Sequence, residues 1–440
     1  MSILSTPKSK QSTGKFIADK AANNKNRREP EPGFGRMLEN GFRRAVFRRL
    51  RRLNSGQVTI VDGDGSHSFG SAMQATPPVE LTVHDAHFYR YVALGGSLGA
   101  AESYIQGQWQ CDNLVGLMRI FSQNFVGDDG IESRASRVML PVKRMIHRLH
   151  RNTLGGSRRN IAAHYDLGDD FFSLFLDDTM AYSCGIFTNA QSSLQEASLV
   201  KFARVSRMLQ LCEDDNVMEI GSGWGGFAIY AAKNHGCRIT TTTISKKQYE
   251  FTLRKVRDEG LQDRITVLCQ DYRHLQGRFD KLVSIEMIEA VGYEYFDTFF
   301  RTCSDLLKPH GAMLLQAITI PDQRFHRYRR SVDFIQRYIF PGGCLPSLGA
   351  ICGSLGRVTD MRLVDFEDLT AHYALTLSHW RRHFHENIDQ VRALGFREEF
   401  LRLWEYYFCY CEAGFRERLI ADAQILLCKP KCRIKDQVPE

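Results

Sequence analysis

Short apolar runs alternate with amphipathic stretches through the second half of the chain. Residues 216–220 (Asn-Val-Met-Glu-Ile) form such a run and predict a buried strand. Gly221, Gly223, Gly225 and Gly226 follow at once, and 227–232 (Phe-Ala-Ile-Tyr-Ala-Ala) predicts a helix. A threonine-rich strand is expected at 237–244, a helix from about 245, and strands at 265–268 and 279–285. A helix at 295–307 and a strand at 311–320 continue the rhythm. Residues 321–380 interrupt it with Gly/Pro-rich and helical segments, read as an insertion covering the site. Two more helices and a last strand at 420–428 complete the pattern. This alternation predicts a doubly wound α/β domain, a mostly parallel sheet with helices on both faces.

The pattern before residue 160 differs. Residues 1–34 are polar and lysine-rich and read as a disordered tail. In 38–53, Phe42, Val46, Leu50 and Leu53 recur at helical spacing among arginines at 43, 44, 48, 49, 51 and 52. Residues 57–61 and 79–83 read as paired strands, followed by helices broken by glycine over 87–104. Further helices are expected at 115–125 and 140–150. The domain reading is therefore a tail (1–34), a small, basic, mainly helical α+β domain (35–150), a linker (151–159), a catalytic domain (160–430) and a second tail (431–440).

The length of 440 residues fits two or three domains. No apolar run of membrane-spanning length appears, and the N-terminus lacks a signal peptide's apolar core, so a cytoplasmic location is expected. The 12 cysteines are scattered without Cys-x-x-Cys pairs, and no disulfide framework or metal site is expected. The net charge of +8 changes the picture through its placement. The basic helix is either a solvated helix packed on its own domain or a helix lying on an anionic membrane surface. Nucleic acid is disfavoured, because no recognition motif accompanies the charge.

Candidate chemistry gathers where the carboxyl ends of the strands should lie. The spacing Gly221-x-Gly223-x-Gly225-Gly226 is not that of a dinucleotide turn, which disfavours NAD. It is closer to the turn of S-adenosylmethionine (SAM) enzymes; a plain tight turn is the alternative. Thr243-Ile-Ser-Lys-Lys-Gln248 closes the second strand, Gln270-Asp271-Tyr272 the third, and Glu286-Met-Ile-Glu289 the fourth. Glu289 alone could equally be an acid at a helix N-terminus.

Several stretches together resemble the cyclopropane-fatty-acyl-phospholipid synthase family, which includes the mycolic acid cyclopropane synthases. They are His164-Tyr-Asp-Leu-Gly168, Tyr182-Ser-Cys-Gly185, Glu219-Ile-Gly-Ser-Gly-Trp-Gly-Gly226, Thr243-Ile-Ser245, Gln270-Asp-Tyr-Arg273 and Glu286-Met-Ile-Glu-Ala-Val-Gly292, followed by the Pro-Gly-Gly-Cys run within 333–346 and Cys411-Glu-Ala-Gly-Phe415. The resemblance implies a Rossmann-like SAM-dependent methyltransferase sheet. It implies SAM contacts from Tyr182, Ser183, Glu219, Gly221, Gly223, Gly225, Gly226, Thr243, Ser245, Gln248, Asp271 and Tyr272. It also implies a bicarbonate ion held by Glu289, the backbone at Cys184, the side chain at Gln316, Ile318 and Tyr373, and an active-site cysteine at Cys411. Bacterial members often carry Phe-Glu-His where this chain has Ile288-Glu289-Ala290, and histidine where Gln316 stands. The latter region looks more like the plant synthases.

The implied reaction is methylene transfer from SAM to a cis double bond of an unsaturated phospholipid acyl chain, giving a cyclopropane. Simple methylation of the alkene is the runner-up, and a non-catalytic lipid-binding protein is the reading from another class. An alkene attacking a sulfonium methyl makes a carbocation, so the site should be dry, aromatic-walled and equipped with a base. Phe171, Phe172, Tyr182, Phe187, Tyr373 and Trp380 are the wall candidates. The expected partners are the acyl chain and an anionic bilayer at the inner face of the membrane; a homodimer stays open.

Overall fold

The computed structural model describes residues 32–72, 77–125 and 167–434. The tail readings at 1–31 and 435–440, the helix at 140–150, the linker at 151–159 and the first three residues of the His164 motif fall outside these residues. Residues 32–34, assigned to the first tail, open a helix instead, and Cys432 and Ile434, assigned to the second, are buried in a core. The chain divides into two compact units. The first takes residues up to 142 with 333–339 and 388–413; the second takes 143–332, 340–387 and 414–440.

In the first unit, β1 (Gly56–Asp62) turns through Gly63 and Asp64 into an antiparallel β2 (Gly65–Ser71). On its other edge β1 pairs in parallel with β3 (Val79–Val83), Val58 lying opposite Val79. With β4 (Trp109–Cys111) the order is β2-β1-β3-β4. Pairing of 57–61 with 79–83 is thus present, but β2 within their connection was not legible. Only Phe69 of its seven residues is buried, so it carries no apolar period.

The basic stretch is the helix Pro32–Leu50. Val46, Leu50 and the following Leu53 are buried, each contributing about 1.5–3 kcal/mol. Arg44 and Arg48 are exposed, whereas Arg43 turns inward. Its Nε donates to Asp62 Oδ2 at 2.8 Å and its Nη2 to Asp62 Oδ1 at 3.0 Å. Its guanidinium also lies 4.6 Å from the Phe47 ring centre. The helices His87–Gly95 and Ser97–Ile105 break at Gly96, where φ is 63°. Segments from late in the chain complete this core. Tyr338 donates to Glu102 Oε1 at 2.7 Å, and the Tyr406 ring lies 5.6 Å from Tyr104 and 4.8 Å from Phe334.

The second unit holds a seven-stranded sheet in the order β10-β11-β9-β8-β5-β6-β7. Strands β5 (Asn216–Ile220), β6 (Arg238–Thr243), β7 (Ile265–Cys269), β8 (Phe279–Ile285) and β9 (Leu307–Thr319) run parallel. β11 (Ala421–Cys428) is antiparallel to both β9 and β10 (Arg362–Asp368). Alternate residues of one strand enter different cores. Met218, Leu282, Leu315 and Ile425 belong to one cluster; Val217, Val283, Leu314 and Leu426 belong to the other. Both faces are therefore covered, as the doubly wound reading requires. β10 was not foreseen within the insertion. It is an edge strand whose Leu363 and Phe366 are exposed, so burial left no alternation to read.

Candidate active site

β5 ends at Ile220, and the chain turns through Gly221 to Gly225 into the helix Gly226–His235. Two of these glycines answer different demands. A Cβ on Gly226 would sit 2.5 Å from the Thr179 carbonyl oxygen, so only glycine permits that approach. Gly223 has φ 50° and nothing within 4 Å of where a Cβ would be. Its missing side chain faces open space.

A cavity lies at this turn. Tyr182, Ser183, Glu219, Gly221, Gly223 and Gly226 line it, joined from the ends of β6 and β7 by Thr243, Gln248, Asp271 and Tyr272. Two of the expected cofactor contacts do not line it. Gly225 packs toward Thr252, 2.7 Å from its Cβ position, and Ser245 caps the helix Lys246–Asp258 by accepting from the Gln248 amide. Burial pushes the Glu219 carboxyl up to about 8, with Thr241 donating to it in partial compensation. Asp271 behaves oppositely. Burial would raise it, but Arg273, bonded at 2.8 and 2.7 Å, holds it below the usual carboxylate range.

The other wall of the site is a side-chain network. Glu286 follows β8 directly and lines the cavity; its backbone stands at φ 48°. A left-handed conformation at a non-glycine residue costs about 1–3 kcal/mol and persists only where surroundings enforce it. Here the carboxylate accepts three hydrogen bonds. Cys184 N donates to Oε1 at 2.8 Å, Gln316 Nε2 to Oε1 at 2.9 Å, and the Tyr373 hydroxyl to Oε2 at 2.5 Å. Gln316 also donates to Asp422 Oδ2 at 3.0 Å and accepts from Gln424 Nε2 at 3.0 Å. The register of β9 and β11 makes this reach natural, since Gln424 lies opposite Gln316 and Asp422 is its diagonal neighbour. Ile318 N donates to Glu289 Oε1 at 2.6 Å, while Glu289 Oε2 and Asp422 Oδ1 are buried without partners.

Three acids share this region with one buried cation, Lys201, which donates to Ser183 Oγ at 2.6 Å. Burial raises Glu289 to about 8, helped by the charge of Glu286. Asp422 is raised well above its usual range by burial and by both glutamates. Burial raises Glu286 too, but its three donors and Lys201 oppose the shift. Glu286 has the most donors of the three and is the carboxyl that carries negative charge first.

Of the aromatic candidates, Phe172, Tyr182, Trp380 and Tyr373 form a chain of rings with centres 5.4, 5.1 and 6.1 Å apart. Among all six, Tyr182 lines the cavity. Phe187 packs against His372 and His379. Cys411 lies on the helix Glu398–Arg416, in the first unit. Burial pushes its thiol up, with Asp333 adding to the shift.

The model of the mycolic acid cyclopropane synthetase family matches residues 153–425. The chain belongs to this family. It is 36% identical over 382 residues to tuberculostearic acid methyltransferase UfaA1 of Mycobacterium tuberculosis, covering 84% of this chain and 88% of that one. It is 35% identical over 360 residues to the cyclopropane-fatty-acyl-phospholipid synthase of Escherichia coli K12, covering 81% and 90%. Mycolic acid cyclopropane synthase CmaA1, solved with SAH and CTAB, superposes with a TM-score of 0.58 at 31% identity, covering 62% of this chain and 98% of that one. The protein is a SAM-dependent methyltransferase of the cyclopropane synthase family.

The bicarbonate implied by family resemblance does not fit the residues present. Three of its expected donors, Cys184 N, the Gln316 amide and the Tyr373 hydroxyl, already bond Glu286, and Ile318 N bonds Glu289. A further anion would place a second negative charge beside Glu286, whose donors are already spent. The reading from sequence named these donors but missed their acceptor. It also missed Asp422, Lys201 and Gln424. Glu286 was in view, three residues before Glu289 in the same motif, and Asp422 shows as a lone acid opening an apolar strand.

Proposed function

We propose that the protein transfers a methylene group from SAM to a cis double bond of an unsaturated phospholipid acyl chain, closing a cyclopropane ring. The observation that carries this reading is that one cavity is bounded by both the glycine turn and Glu286. The turn, with Tyr182, Ser183, Glu219, Gln248 and Asp271, would hold SAM. The alkene's π pair attacks the sulfonium methyl carbon, the carbon–sulfur bond breaks, and a cation remains on the acyl chain. A C–H bond of the new methyl then breaks and its electron pair closes the ring. Tyr182 and the rings behind it supply a dry, polarisable wall, each well-placed face contributing about 0.5–2 kcal/mol. Cys411 keeps the role that family resemblance gives it, an active-site cysteine, and Cys411→Ser with unchanged turnover would remove it.

A second reading, methylation without ring closure, is favoured by the similarity to UfaA1. Purified protein, SAM and vesicles of an unsaturated phospholipid decide between them. Cyclopropane proton resonances in the extracted acyl chains are expected. A methyl-branched or methylene product would promote the second reading, and no alkylated lipid would leave a lipid-binding protein. Peripheral contact with an anionic bilayer belongs to the same proposal. Among the described residues no helix is long and apolar enough to cross a membrane. Arg44, Arg48 and Arg51 are exposed at the basic helix. Replacing these three with glutamine should weaken binding to anionic vesicles by roughly 1 kcal/mol per arginine at most. Unaltered vesicle binding would confine the helix to its own domain.

A further inference from the structure

We propose that Glu286 is a built-in replacement for a bound anion: its carboxylate stands where the donors Cys184 N, Gln316 and Tyr373 converge, and it accepts the proton that the transferred methyl group loses. The inference rests on the methylene-transfer reading above. It deepens that reading by naming the acceptor and by removing any need for bicarbonate.

Three features point the same way. The donor set is complete and spent, since a backbone amide, a carboxamide and a phenol all end on one carboxylate. The carboxylate borders the cavity that also contains the glycine turn. The backbone at Glu286 is held at φ 48°, so the side chain is kept in place against its own conformational preference. Gln316 fits this assignment. Its carbonyl is fixed by Gln424, which turns both amide hydrogens toward the carboxylates of Glu286 and Asp422. Burial and the charge of Glu286 raise the neighbouring Glu289 and Asp422, whereas Glu286 accepts the most hydrogen bonds of the three and so carries the negative charge.

The step balances without a further reagent. The C–H bond of the former SAM methyl breaks, its electron pair forms the ring bond, and the proton goes to a Glu286 oxygen. Glu286 becomes a neutral carboxyl and returns the proton to water after product leaves. Tyr373 and Gln316 remain hydrogen-bond donors throughout.

The test uses the full chain, as parent, Glu286→Gln and Glu286→Gly, with 13C-bicarbonate as the probe. Glycine suits a positive φ, so Glu286→Gly relieves strain while freeing the three donors. The parent should turn over equally in carbon-dioxide-free buffer and with added bicarbonate, and should not bind the probe by NMR. Glu286→Gln should bind SAM by calorimetry as the parent does, with turnover reduced about 100-fold or more. Glu286→Gly should bind 13C-bicarbonate and regain turnover when it is added. Probe binding to the parent, parent turnover that requires bicarbonate, or full turnover by Glu286→Gln would each overturn the proposal. Loss of the methylene-transfer reading is told apart by a parent that makes no lipid product in either buffer. Probe binding to Glu286→Gly but not to the parent still decides whether Glu286 fills an anion site.

Discussion

The two walls of the cavity are built by different means. The glycine turn is continuous, and its demands are met by backbone conformation within Gly221 to Gly226. The carboxylate wall is discontinuous. Glu286 lines the cavity, and behind it Cys184, Glu289, Gln316, Tyr373 and Asp422 come from separate strands, turns and a helix, ordered by side-chain hydrogen bonds. The first wall is shaped to admit a ligand, and the second is shaped around a charge. Changes to the first should therefore alter SAM affinity, and changes to the second should alter turnover with SAM affinity kept.

The largest separation is expected at Gly223. Valine there meets no protein atom but enters open space at φ 50°. Backbone strain of about 1–2 kcal/mol falls on stability, and blocked ligand approach of about 1–3 kcal/mol amounts to a roughly 10- to 100-fold loss of SAM affinity. Calorimetry on folded Gly223→Val checks it, and parent-like binding would break the assignment of the turn.

Tyr373→Phe probes the opposite wall. It removes one hydrogen bond to the charged Glu286, about 1.5–3 kcal/mol, and should lower turnover about 10- to 100-fold. SAM affinity should stay at the parent value. A fall in affinity with turnover intact would show that the two walls are not separable.

A separate effect concerns stability against pH. Glu289 is raised from 4.5 to about 8, so the folded protein keeps a proton that the unfolded chain releases. Raising the pH from about 4.5 to about 8 therefore lowers the stability contributed by this group, and the loss levels off above about 8. Glu289→Gln has no such proton to lose. Its stability relative to the parent, from urea midpoints, should improve between pH 5 and pH 8. An equal difference at both pH values would mean that Glu289 is already ionised at low pH.

The same contrast explains what the sequence disclosed. A strand, a glycine turn and a helix are consecutive, so their pattern could be read directly, as could the alternation of strands and helices from β5 to β9. The donors Cys184, Gln316 and Tyr373 were nameable one by one from family resemblance. Their common acceptor was not, because the direction of the Glu286 side chain depends on a left-handed backbone that no local pattern announces. Lys201 looks like a surface residue of the helix Leu194–Leu209 until the sheet covers it. Edge strands β2 and β10 left no trace because exposure removes the alternation by which strands are recognised. Arg43 belonged by composition to a basic face, yet its partner Asp62 lies in a strand whose placement only the fold supplies.

SAM carrying a fully deuterated methyl group, given to the parent with an unsaturated phospholipid, offers the most direct measurement of proton removal at the carboxylate wall. Mass spectrometry of the product counts the deuterons. A cyclopropane retaining two deuterons is expected, the third having left to Glu286. A methyl-branched product retaining all three, with no ring, would contradict both the ring closure and the role of Glu286 in it.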